Sequence, residues 1–170
     1  MFYIRRKFFN SINWVLLEIR PPKEVGGSPK PFEYIFAGLF SLIGTVDNLP
    51  DMYLKGLVQA YFSAEIIGVG GKIRFYIRVP ANFKNLVESL FYAQYPDIEI
   101  RETEDYALDV PAVIPSGDWD LWGTKFILDK PDAYPIRTYI DFLEISGDKD
   151  QMKRFIDPLS NLMEIMSRLK

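Results

Sequence analysis

Hydrophobic positions recur along this chain with two periods, and the period changes at proline, glycine and acidic clusters. From Trp14 to Arg20 apolar residues alternate: Val15, Leu17 and Ile19 on one side, Trp14, Leu16 and Glu18 on the other. This predicts a strand, and Pro21–Pro22 stops it because proline cannot donate to a sheet ladder. Ser28–Pro29 then reads as a hydroxyl cap followed by proline at the first helical position. Phe32, Ile35, Phe36, Leu39, Phe40 and Ile43 follow at helical spacing, which predicts one apolar stripe with Gly44 as the closing cap.

The stretch 57–79 predicts a β-hairpin. Val58, Ala60, Phe62, Ala64 and Ile66 alternate with polar residues; after Gly68–Val69–Gly70–Gly71 the alternation resumes as Ile73, Phe75, Ile77 and Val79. A two-residue turn at Val69–Gly70 would set Ile66 opposite Ile73, Ala64 opposite Phe75 and Phe62 opposite Ile77. On the other side Glu65 would meet Arg74, and Tyr61 would meet Arg78, so charges and apolar residues both match. Pro80 ends the second strand. Asn82 is expected to cap a second helix carrying Phe83, Leu86, Val87, Leu90 and Phe91, closed by Tyr95–Pro96–Asp97. Ile98 and Ile100 alternate with Glu99 and Arg101 as a fourth strand.

The order is β-α-β-β-α-β over about residues 13–103. It predicts an α+β, ferredoxin-like fold: four antiparallel strands, with two helices roofing the face that bears Phe62, Phe75 and Ile77. The start of a second α/β unit follows. Residues 1–12 form a basic, aromatic segment, 13–106 the ferredoxin-like unit, and 107–118 an acidic, proline-containing linker. Residues 119–170 hold a hairpin, Trp119–Asp129 and Tyr134–Glu144, and a helix capped at Asp157–Pro158. A strand, a loop and a capped helix also open the first unit, so the chain reads as a fragment or truncated domain.

Composition narrows the chemistry. The 170 residues include no Cys and no His. Disulfides, thiolate and imidazole metal sites, and Ser-His-Asp or Cys-His catalysis are therefore excluded. Net charge is −3, which argues against a dedicated nucleic-acid module. The charge is segregated. Arg5, Arg6, Lys7, Arg20, Lys23 and Lys30 outnumber Glu18 and Glu24 in residues 1–30, whereas Arg101 is the only base in the acid-rich stretch 97–120. Aromatics beside Arg5–Arg6–Lys7 suit either an amphipathic first element or a segment lying at a lipid surface. No apolar run approaches the ~20 residues of a membrane span. Glu102, Glu104 and Asp105 read as a solvated acidic loop before a metal site. Gly68–Val69–Gly70–Gly71–Lys72 lacks the G-x-x-x-x-G-K-[ST] string of a phosphate loop and sits in a hairpin, so it reads as a turn. No cofactor, metal or small-molecule substrate is expected.

Several strings resemble the domain preceding the motor in type IV secretion or conjugation-like ATPases of the HerA/FtsK superfamily, as found in candidate-phylum bacteria. They are Leu16–Glu24, Gly71–Pro80, Val87–Glu88–Ser89, Tyr92–Pro96, Glu104–Asp105–Tyr106, Tyr134–Tyr139 and Asp157–Pro158–Leu159. The resemblance spans roughly residues 14–170. It implies a segment of a hexameric, nucleotide-driven motor at the cytoplasmic face of a membrane, with no catalytic residue carried over to this chain.

The expected function is a non-catalytic assembly or regulatory domain that acts through a homo-oligomer or membrane-associated secretion components. Lys72, Arg74, Tyr76 and Arg78 share one strand face and, with Tyr61, form the candidate contact surface. The alternative is a nucleic-acid-binding module using that same basic, aromatic face.

Overall fold

The structure, a computed structural model, describes residues 2–22, 30–42, 50, 56–117, 119–131, 133–135 and 159–168. The chain divides into two compact units, Met1–Glu104 with Leu162–Lys170, and Asp105–Asn161. In the first unit α1 (Phe2–Ser11) leads into β1 (Trp14–Arg20). Then come α2 (Lys30–Leu42), β2 (Ser63–Val69), β3 (Lys72–Pro80), α3 (Lys84–Gln94) and β4 (Glu99–Thr103). The expected caps Ser28–Pro29, Gly44 and Asp157–Pro158 lie outside the described residues.

The four strands form one antiparallel sheet in the order β2-β3-β1-β4. Alternation in β1 and β3 puts Leu17, Ile19, Ile77 and Val79 on one face, where they join Ile35 and Leu39 of α2, Val87 and Phe91 of α3, and Ile98 in one buried cluster. Both helices therefore lie over the same side of the sheet. Phe62, Phe75, Val15, Leu90 and Ile100 pack at its margin, half-buried. The protein is an α+β molecule built on burial of that face.

The hairpin register differs from the sequence expectation. Val69 pairs with Lys72, so Gly70 and Gly71 are the turn. Their φ values are 56° and 75°. A tight hairpin turn of this kind needs positive φ at both central residues. A turn at Val69–Gly70 would force β-branched Val69 into the left-handed region, whereas the Gly–Gly pair meets the requirement without steric cost. Ile66 accordingly faces Phe75, Ala64 faces Ile77, Glu65 faces Tyr76, and Ser63 faces Arg78. The offset is two residues, so each side chain keeps its predicted face while its partner changes. The first strand is also shorter than expected: it starts at Ser63, and residues 57–62 carry no ladder.

Asn82 does not cap α3. A short 3₁₀ turn, Ala81–Phe83, feeds the helix directly, and no side chain caps either segment. The first donor is satisfied across the chain, with Ala81 N–H donating to the Asn13 carbonyl at 2.8 Å. At the other end Tyr95 N–H donates to Phe91 O at 2.8 Å, where the helix was expected to close.

The final helix, α4 (Ser160–Arg168), places Met166 over Gly68 near the tip of the β2–β3 hairpin. In the second unit Asp105 caps a 3₁₀ turn, Tyr106–Asp109, by accepting from Ala107 N–H at 3.0 Å. Ser116 and Trp119 exchange backbone hydrogen bonds at 2.9 and 3.1 Å around Gly117. The expected strand Trp119–Asp129 is not formed: residues 120–128 carry no regular structure. Leu121, Trp122, Phe126 and Ile127 are all at least 73% exposed. Alternation makes a strand only where a neighbouring edge completes its hydrogen bonds, and the expected partner, Tyr134–Glu144, lies largely outside the described residues.

Candidate functional site

The outward face of β3 carries the candidate residues Lys72, Arg74, Tyr76 and Arg78. Lys72 and Arg74 are exposed, Arg78 is half-buried, and Tyr76 is buried at 6% exposure. Arg78 Nε donates to Glu65 Oε1 at 3.1 Å, between side chains that are 23% and 14% exposed. A hydrogen bond to the Tyr76 side chain, aided by the nearby Glu18 carboxylate, pushes the Arg74 guanidinium above its ordinary range. Glu18, on β1 directly opposite Tyr76, is itself buried. Arg20 reaches it at 3.0 Å and extends to Glu99 of β4 at 3.5 Å. The Glu18 hydrogen bond and charge, with Glu99 behind them, raise the pKa of Arg20. This face is thus a partly closed network of alternating charges.

Tyr61 is drawn away from that network. Its ring stacks on Phe9 of α1 at 5.8 Å and meets Trp14 at 4.8 Å, while Phe9 and Trp14 lie 6.2 Å apart. The three rings join α1 to the start of β1. Of the five predicted contact residues, Lys72 and Arg74 are exposed on this face, Arg74 with its guanidinium held by Tyr76, and Tyr61 belongs to a different cluster.

A more exposed aromatic surface lies on α2, where the sequence pattern predicted core. Ile35 and Leu39 are each 1% exposed, but Phe32, Phe36 and Phe40 are 41%, 51% and 73% exposed. The gradient follows from helix geometry. Steps of four residues advance about 40° beyond a full turn, so each phenylalanine lies farther from the buried line. Phe32 is still anchored, against Tyr95 at 5.4 Å and edge-on to Phe91 at 6.3 Å, whereas Phe40 projects into solvent. The six stripe positions Phe32, Ile35, Phe36, Leu39, Phe40 and Ile43 cover a wider arc than one sheet face buries. That excess width was the signal in the sequence.

The outward face of α1 is the third surface. Tyr3, Arg6, Lys7, Asn10 and Ser11 line a hollow of about 390 Å³. By contrast the hollow beside Leu39, Phe62 and Val79 has room for only about 10 Å³. Among the described residues no cluster of three acidic, His or Cys side chains could hold a metal. Glu102 instead pairs with Lys84, and Asp105 serves as the turn cap. None of the described helices is long and apolar enough to cross a membrane. Comparison with protein-family models, curated proteins and solved structures finds no match to this chain.

Proposed function

We propose that this chain is a non-catalytic assembly domain of the kind that precedes the motor in type IV secretion-like, conjugation-type ATPases. The reading places it in the cytoplasm at the inner face of the cell membrane, and gives the first unit a ferredoxin-like fold. The fold assignment rests on the strand order β2-β3-β1-β4 with α2 and α3 over one face. Its family rests on the resemblance of Leu16–Glu24 and Gly71–Pro80 described above.

One observation carries the functional reading: Phe36 and Phe40 stand 51% and 73% exposed on a helix whose opposite side is locked into the core. A rigid helix presenting adjacent aromatic rings is an interface device, because such rings bury large apolar area on contact at little entropic cost. In this reading α2 packs against a neighbouring subunit and fixes its position, and any work of ATP hydrolysis belongs to the motor. Nucleic acid on the β3 face is disfavoured, since base stacking needs a free ring and Tyr76 is 6% exposed.

Sedimentation velocity over a range of concentrations tests this. The chain should self-associate, and Phe36→Ser/Phe40→Ser should abolish association while leaving the circular dichroism spectrum intact. A chain that stays monomeric at every concentration, or a variant that associates as before, would refute it.

A further inference from the structure

Among the described residues, the contacts that hold the first helix to the fold lie on one side of it. Gly56 abuts its backbone: a Cβ there would fall 2.8 Å from the Ile4 carbonyl carbon and oxygen. Phe9 is held by the rings of Tyr61 and Trp14. These contacts fix the helix on its inner side, where Arg5 and Phe8 are half-buried. Residues 3, 6, 7, 10 and 11 recur at i, i+3, i+4, i+7 and i+8, so they form one continuous outward stripe. All five are exposed, Tyr3 to 80%.

The stripe is cationic. The helix contains no acidic residue, and the first carboxylate in the chain is Glu18. Among the described residues no ion pair engages Arg6 or Lys7. Apolar side chains border the stripe on both flanks, Ile4 at 37% and Phe9 at 40% exposure. A phenol beside two free cations, edged by partly exposed aliphatic and aromatic groups, is the profile of a helix that lies in the headgroup plane of a bilayer. A nucleic acid would use the charges alone, and two free cations are few against the six to ten or so phosphate contacts of a typical duplex binder.

We infer that the outward face of α1, carrying Tyr3, Arg6, Lys7, Asn10 and Ser11, docks on an anionic phospholipid surface. Arg6 and Lys7 meet lipid phosphates and carboxylates, Asn10 and Ser11 face the hydrated headgroups, and the Tyr3 ring enters the boundary with the acyl chains. The contact uses different residues from the α2 stripe, so it stands or falls independently of subunit assembly.

Co-sedimentation of the full chain with phosphatidylcholine vesicles, with and without phosphatidylserine, tests the inference. Phosphatidylserine should raise partitioning at least tenfold or so, and rising salt should reverse the gain. Each basic side chain near such a surface contributes about fivefold, so Arg6→Gln/Lys7→Gln should weaken partitioning about 25-fold. Tyr3→Ala should weaken it further at high salt, where the apolar part remains. Equal partitioning on the two vesicle types, no binding to either, or wild-type binding by the double glutamine variant would each overturn it. So would tighter binding to a DNA duplex, or to a second copy of the chain, through the same residues. The salt series on the unaltered chain keeps the test decisive should a variant fail to fold.

Discussion

Glu65 on β2 binds Arg78 on β3 diagonally, Oε1 to Nε at 3.1 Å, while the residue directly across from it in the ladder is Tyr76. Both side chains are largely withdrawn from water, so removing one leaves the other charge partly buried and less well satisfied. Glu65→Ala and Arg78→Ala should each cost about 1–3 kcal/mol in urea unfolding. The double variant should cost less than the sum of the two. Arg74→Ala, which removes an exposed guanidinium, should cost no more than about 1 kcal/mol. A larger loss at Arg74 than at Arg78 would contradict the observed register.

Gly56 and Gly70 both have positive φ, 70° and 56°, but differ in what surrounds them. A methyl at Gly70 meets nothing within 4 Å, whereas one at Gly56 strikes the backbone of Ile4 and Arg5 at 2.8–2.9 Å. Gly70→Ala should therefore cost only the left-handed conformation, about 1 kcal/mol. Gly56→Ala should cost more and displace α1 as well. Intrinsic fluorescence checks the second effect, because Trp14 rests against Phe9 and a detached helix would expose it.

Along α2 the two kinds of apolar position should separate cleanly. Leu39→Ala, at 1% exposure, should lose about 2–5 kcal/mol through the cavity it leaves. Phe40→Ser, at 73% exposure, should change monomer stability by no more than about 0.5 kcal/mol. Thermal unfolding at low concentration distinguishes them from effects on association.

Two groups make the fold sensitive to alkali. Burial raises the Tyr95 phenol above its ordinary 10.0, and the hydrogen bond to Glu102 raises Lys84 above 10.5. In each case the folded value exceeds the unfolded one. The corresponding stability is fully present below the unfolded value and is lost as pH rises through the folded one. Urea midpoints should therefore fall from about pH 10 upward, and Tyr95→Phe should make that fall shallower. An unchanged slope in the variant would remove Tyr95 as a cause.

Much of the layout was legible in local pattern. The strand Trp14–Arg20 and the inward side of β3 follow from alternation, and the closing of α3 at Tyr95 follows from the proline after it. The hairpin was legible in parity but not in partner, because a shift of two residues preserves every face and only the turn's φ requirement distinguishes the alternatives. The candidate surface was less legible. Tyr76 and Arg74 share a strand face by alternation, yet Tyr76 is closed to solvent and Arg74 is open. Nothing within the strand encodes that difference.

From the sequence alone came the side on which each strand residue lies and the identity of the apolar faces, since backbone stereochemistry sets those periods residue by residue. Tertiary structure decided how wide a portion of each apolar face is used. The sheet covers Ile35 and Leu39 but turns Phe36 and Phe40 outward, and residues 120–128 form no strand despite their alternation. Burial and strand pairing need a second surface, and whether that surface arrives is a property of the assembled chain rather than of any segment within it.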